Sequence, residues 1–199
     1  MNQDEIRQQI AHLVDQYAAI EYAPKAFEPD KTVIPPSGKV LDAAELKSMV
    51  DASLDGWLTT GRFDKAFKKR LKDYLGIRYL LTTNSGSSAN LVGIASLFYR
   101  SKNPLQYGDE VIVPAIAWST TYFPLQQYGL KLKFIDVDQK TLNIDINSVK
   151  KNISKKTKLI LVVSILGNPA ELPELKKICK KRKIYLMEDN CESMDAEIK

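Results

Sequence analysis

From residue 78 onward, short runs of Val, Ile and Leu alternate with stretches of helical periodicity, and this alternation narrows the fold more than any other feature. The runs at 79–83, 110–114, 132–137, 159–165 and 184–187 read as strands, and 88–99, 119–128, 147–153 and 171–182 as helices. Near-continuous apolar strands separated by helices predict an α/β fold, a mostly parallel sheet covered by helices on both faces. Upstream, residues 4–21 carry Ile6, Ile10, Leu13, Val14 and Tyr17 at helical spacing, predicting an amphipathic helix with that apolar face. The proline-punctuated stretch 21–40 predicts an extended arm. Helices are expected at 43–54 (Leu46, Met49, Val50, Leu54) and 63–75 (Phe63, Phe67, Leu71, Tyr74, Leu75), joined by the loop 56–62. The division expected is 1–75 as helices and arm, and 76–199 as the α/β domain.

Three segments at the ends of predicted strands carry the chemistry. Asp189 closes the apolar run 184–187, where a desolvated carboxylate is costly unless a cation meets it. The segment Asn84-Ser85-Gly86-Ser87-Ser88-Ala89-Asn90 stands between a strand and a helix expected to open near Ser88, with Leu91, Ile94, Ala95 and Phe98 inward. Gly86 is expected to permit a tight turn, and the free amides with the Ser87 and Ser88 hydroxyls suit a phosphate at the positive end of the helix. Serine capping without a ligand accounts for the same residues equally simply. Trp118 lies on the loop after the 110–114 strand, at the edge where open α/β sheets bind ligands, and offers a face for an aromatic ring. Ser119, Thr120 and Thr121 are positioned to cap the next helix. A phosphate cradle, a stacking surface and a carboxylate for a ring nitrogen at one sheet edge point to a pyridoxal-type cofactor. An ionised Asp facing the pyridine nitrogen keeps it protonated, so that the ring withdraws electrons.

Charge and cysteine content exclude other classes. The net charge is +5, concentrated in KAFKKRLK, KKNISKKTK and KKICKKRK. In the last run Leu172, Leu175, Ile178 and Cys179 form an apolar stripe, so the lysines fall on a solvated face. No aromatic residue interleaves this last run, and nucleic-acid binding is not expected. No apolar stretch approaches the ~20 residues of a membrane span. Two cysteines cannot form a disulfide framework, and the cytoplasm fits them best.

Taken in order, WLTTGRF, NSGSSANL, AWSTT, FIDVD and EDNCE resemble the nucleotide-sugar aminotransferase family of fold-type I pyridoxal-phosphate (PLP) enzymes. PPSGKV, GWLTTGRF, TTNSGSSANL, LGN and EDNCE resemble, more narrowly, its CDP-4-keto-6-deoxyglucose 3-dehydratase branch, which serves deoxysugar and lipopolysaccharide synthesis. The resemblance implies the large domain of that fold, with only its N-terminal part present. It implies that Gly86, Ser87 and Ser88 hold the cofactor phosphate, that Trp118 stacks on the ring and that Asp189 pairs with its nitrogen. Glu192 would lie near the phenolic oxygen, and Asn168 would line the same pocket. Trp57, Thr60 and Arg62 would contribute near the substrate or a partner subunit's site. Ser164 stands where many members carry His.

The family's catalytic base, a Schiff-base lysine or in the dehydratase branch a histidine, lies beyond residue 199. The cysteines for the [2Fe-2S] cluster lie there too. No catalytic residue and no metal site are therefore expected in this chain. His12, on the N-terminal helix, and Lys199, at the terminus, lack positional support as bases. The resemblance further implies pyridoxal or pyridoxamine 5'-phosphate (PMP), a nucleotide-sugar substrate, a reductase partner and a homodimer. An aminotransferase taking its amine from glutamate, and a folded fragment without turnover, are the alternatives.

Overall fold

The computed structural model describes residues 1–34, 38 and 40–198. Pro35, Pro36, Ser37 and Lys39 of the PPSGKV motif, and Lys199, lie outside the described residues. The chain divides into two compact units, Met1–Leu81 and Thr82–Lys199.

The first unit holds α1 (Gln3–Glu21), α2 (Ala43–Leu54) and α3 (Arg62–Leu75). Both α1 and α2 open with a reciprocal capping box, Asn2 with Glu5 and Asp42 with Glu45, which fixes their first turns. Gly76, in the left-handed region at φ 63°, ends α3. The inward face of α1 differs from the one expected. Ile6, Leu13 and Tyr17 are exposed, whereas Arg7, Ile10, Ala11, Val14 and Ala18 turn inward. An ion-pair network accompanies this facing. Arg7 pairs with Asp51 and Asp55 of the α2 end, Arg62 pairs with both as well, and Lys47 reaches Asp15 at 2.7 Å. Helix facing here follows charge partners as much as apolar spacing.

In the second unit the order is α4 (Gly86–Phe98), β1 (Glu110–Pro114), α5 (Ser119–Gln127), β2 (Lys131–Ile135), α6 (Ile146–Asn152), β3 (Thr157–Val163), α7 (Leu172–Arg182) and β4 (Tyr185–Asp189). The four strands are all parallel, in the order β2-β1-β3-β4. Strand parity assigns the two faces. Val111, Val113, Leu159, Leu161, Tyr185 and Met187 pack with Ile94 of α4 and Leu125 of α5. Ile112, Ile160, Val162 and Leu186 pack with Val149 of α6 and with Leu175 and Cys179 of α7. Each fully buried Val, Leu or Ile contributes roughly 1.5–3 kcal/mol, so the central strands β1 and β3 anchor the unit. Asp189 shares the parity of Met187 and faces α4 and α5, whereas Glu188 faces the opposite layer.

The segment 79–83, expected as a strand, is extended but unpaired. Tyr79 and Leu81 are 82% and 81% exposed. A β-strand exists only as part of a ladder, and no described strand pairs with this one. The remaining strands and helices form within about two residues of their expected bounds, the usual uncertainty of element ends.

Candidate cofactor site

The site is built on the carboxyl edge of the sheet by α4, the β1–α5 loop, the β3–α7 loop and the end of β4. Ser85, rather than a residue nearer Ser88, caps α4. Its hydroxyl oxygen accepts the Ser88 amide at 3.2 Å and its hydroxyl donates to Ser88 Oγ at 3.1 Å. The Ala89 amide goes to the Ser85 carbonyl at 3.0 Å. Serine capping therefore takes one amide of the first turn, and those of Gly86 and Ser87 have no intrachain acceptor among the described residues. Gly86 is the first residue of α4, and its φ lies outside the left-handed region, so its backbone does not require glycine. A Cβ there would meet nothing within 4 Å, so glycine instead leaves the helix terminus open.

Asp189 is half-buried, and its Oδ2 accepts two hydrogen bonds. One comes from Asn90 Nδ2 at 2.9 Å and the other from Thr121 Oγ1 at 2.8 Å. Asn90 lies three residues after Ser87 on α4, about 4.5 Å along the helix axis. The phosphate-cradle segment and the carboxylate are thus neighbours, as one small ligand requires. At Gly93 α4 lies close to β4 just ahead of Asp189: a Cβ there would come 2.8 Å from Met187 Cε, the flexible end of that side chain.

Trp118, 74% exposed, is the N-cap residue of α5 and its carbonyl accepts the Thr121 amide at 2.9 Å. Thr121 does not cap α5 with its side chain as expected, because that hydroxyl is committed to Asp189. Ser87, Ser88, Leu91, Thr120 and Phe123 line a cleft of about 190 Å³ between α4 and α5.

Loops pinned to one another carry the remaining residues. Glu192 Oε2 accepts the Leu166 amide at 2.8 Å, holding the LGN loop in which Leu166 (φ 53°) and Gly167 (φ 80°) are left-handed. Asn168 is exposed, and its Nδ2 donates to the Thr141 carbonyl at 3.1 Å, while buried Asn143 donates to the Asn168 carbonyl at 3.0 Å. Ser164 is fully buried and saturated. Its amide donates to the Asp189 carbonyl, its hydroxyl to Glu188, and its Oγ accepts the Ala170 amide while its carbonyl accepts from Ser193. It serves the loop framework, not the open edge. The Cys191 thiol is pushed up to about 11, first by desolvation of its sulfur and then by the charge of Asp189, so it is no thiolate nucleophile at neutral pH.

Trp57, Thr60 and Arg62 belong to the first unit. Trp57, 66% exposed, donates Nε1 to the Thr60 carbonyl at 3.1 Å. Arg62 is engaged by Asp51 and Asp55 and lies 4.3 Å over the Phe63 ring. In the sequence Ser85 and Asn90 stood out only as part of the cradle segment and Thr121 only as a helix cap, without the contacts to Ser88 and Asp189 found here. A polar residue on an apolar face was the available signal, since Asn90 precedes Ile94 and Thr121 precedes Leu125 by four positions. Among the described residues, no cluster of three or more His, Cys, Asp or Glu is arranged to hold a metal ion, and no helix is long and apolar enough to cross a membrane.

A parallel sheet with an anchored aspartate, an open helix terminus and an exposed tryptophan at its carboxyl edge fits the class of PLP-dependent, aminotransferase-like proteins. Residues 40–199 match the model of the DegT/DnrJ/EryC1/StrS aminotransferase family, and the chain belongs to that family. It is 44% identical over 196 residues to the lipopolysaccharide biosynthesis protein RfbH of Salmonella typhimurium, covering 98% of this chain and 45% of that protein. It is 46% identical to a GDP-4-keto-6-deoxy-D-mannose 3-dehydratase of Yersinia pseudotuberculosis, covering 82% of this chain and 42% of the relative. The solved Escherichia coli GDP-4-keto-6-deoxy-D-mannose 3-dehydratase with bound hydrated PLP superposes with a TM-score of 0.78 at 46% identity, over 82% of this chain and 42% of that one. The chain spans less than half the length of these relatives.

Proposed function

We propose that this chain supplies the cofactor cradle of a PLP- or PMP-dependent enzyme that removes the C3 hydroxyl of a nucleotide-linked 4-keto-6-deoxy sugar. CDP-4-keto-6-deoxyglucose is the substrate proposed, in lipopolysaccharide sugar synthesis. The second reading, a GDP-linked 4-keto-6-deoxymannose, is favoured by the names of two relatives. The observation that carries the reading is the adjacency of Asp189 and the α4 terminus through the Asn90 hydrogen bond.

The residues present fit the cofactor. The Gly86 and Ser87 amides and the Ser87 and Ser88 hydroxyls hold the phosphate at the positive end of α4. Trp118 covers one face of the ring, and Asp189 holds the proton on the ring nitrogen. Glu192 and Asn168 border the pocket on the phenolic-oxygen side. Trp57, with Thr60 and Arg62, belongs to the substrate or partner-subunit contacts, Trp57 offering the open surface. When bound, the cofactor would supply an electron sink for bond breaking at the sugar. No residue of this chain is assigned the proton transfer that accompanies loss of the hydroxyl. A [2Fe-2S] cluster, a reductase and a homodimer belong to the proposal for a longer chain.

Equilibrium dialysis of the purified chain against PLP and PMP tests the reading. Saturable, one-to-one binding that Asp189→Asn weakens about tenfold or more is expected, since a hydrogen bond to a charged group contributes roughly 1.5–3 kcal/mol. Binding unchanged by Asp189→Asn contradicts it.

A further inference from the structure

We propose that Asn90 and Thr121 are positioning residues that orient Asp189 toward a cationic ring nitrogen, an inference that rests on the cofactor reading above. Both side chains are buried, at 6% and 1% exposure, on faces otherwise built of apolar residues. An unpaired polar group in such a place costs roughly 1–3 kcal/mol, so each requires its partner. Each finds the same atom. Asn90 from α4 and Thr121 from α5 converge on Asp189 Oδ2, across sequence separations of 99 and 68 residues.

Two donors from two helices fix the plane of the carboxylate, and Oδ1 receives no donor from either helix. Both donors are neutral. Among the described residues no Lys, Arg or His forms an ion pair with Asp189, so its charge is anchored in direction yet left uncompensated. A structural aspartate at a strand end would be satisfied by a cation or by backbone amides. One held rigidly by neutral groups next to an open helix terminus is preorganised for a cation brought by a ligand, here the pyridinium N–H.

The test is a double-mutant cycle on PLP affinity, measured by equilibrium dialysis of the chain. Thr121→Val removes the donor with little change in volume, Thr121→Ser retains it, and Asn90→Leu removes the second donor. Thr121→Val and Asn90→Leu are each expected to weaken PLP binding about five- to tenfold, with Thr121→Ser within about twofold of the unsubstituted chain. In the Asp189→Asn background, Thr121→Val should cause no further loss, because its effect runs through the carboxylate. Circular dichroism melts establish that each variant is folded, and should Asn90→Leu fail to fold, the Thr121 pair decides alone. PLP affinity unaltered by Thr121→Val, or a loss of equal size with and without the Asp189 carboxylate, overturns the inference while the cofactor reading stands. No PLP binding by the unsubstituted chain overturns both.

Discussion

Ser164 shows how one side chain can hold the edge of a site it does not enter. It joins the β3 end to Asp189, Glu188, Ala170 and Ser193, and it is fully buried. Ser164→Ala leaves the Ala170 amide and the Glu188 carboxylate without that partner, and unfolding in urea should show a loss of about 1–3 kcal/mol. Cys191 permits a reactivity prediction. With its thiol raised from 9.0 to about 11, the thiolate fraction near neutral pH is about a hundredfold below that of an ordinary exposed cysteine. Alkylation by iodoacetamide should be correspondingly slow at pH 7.5 and should accelerate on Asp189→Asn, which removes a nearby negative charge. Asp189 and Trp118 drew attention in the sequence because each follows an apolar run that forms a paired strand, and Ser85–Ser88 because it precedes the apolar periodicity of α4; their roles toward a cofactor are the proposal made above. The roles of Asn90 and Thr121 were not legible there, because they depend on a hydrogen bond across the fold that local spacing does not encode.

At the scale of elements, the same capping chemistry that leaves α4 open also sets its start. Ser85→Ala removes the side-chain cap and should cost about 1 kcal/mol, read as a lower melting temperature. Gly129 ends α5 at φ 67°, where a Cβ would fall 2.0 Å from the Tyr107 ring, so Gly129→Ala should cost at least about 1 kcal/mol in the same measurement. At the opposite sheet edge Glu110 accepts from Thr157 and Ser154 and lies near Lys133. Burial raises its pKa, but the two hydroxyls and the lysine outweigh it and hold the carboxyl below its ordinary 4.5. A depressed carboxylate stabilises the fold above its unfolded value and loses that contribution as pH falls through the folded one. Glu110→Gln should therefore flatten the dependence of stability on pH below about 4.5, with little change in that slope near neutrality. Strand periodicity was legible wherever a strand had a partner in the sheet. Residues 79–83 carry the same apolar signal, but periodicity records the wish for burial and not the presence of a neighbouring ladder.

At the scale of the whole molecule, the α/β class followed from the alternation of apolar runs with helices, because buried parallel strands must be apolar on both sides. The facing of α1 did not, since the Arg7 pairs with Asp51 and Asp55 join residues 44 and 48 positions apart on different elements, which local spacing does not encode. The chain belongs to the DegT/DnrJ/EryC1/StrS family and spans less than half the length of its similar relatives, and the cofactor cradle is the part of that architecture proposed for it. The most direct test is a crystal structure of the chain soaked with PMP. The phosphate should lie against the Gly86 and Ser87 amides while the ring nitrogen sits about 2.7–3.0 Å from an Asp189 carboxylate oxygen. Density for PMP elsewhere on the molecule, or a phosphate at α4 with the ring turned away from Asp189, would contradict the single-cofactor geometry on which the proposed activity depends.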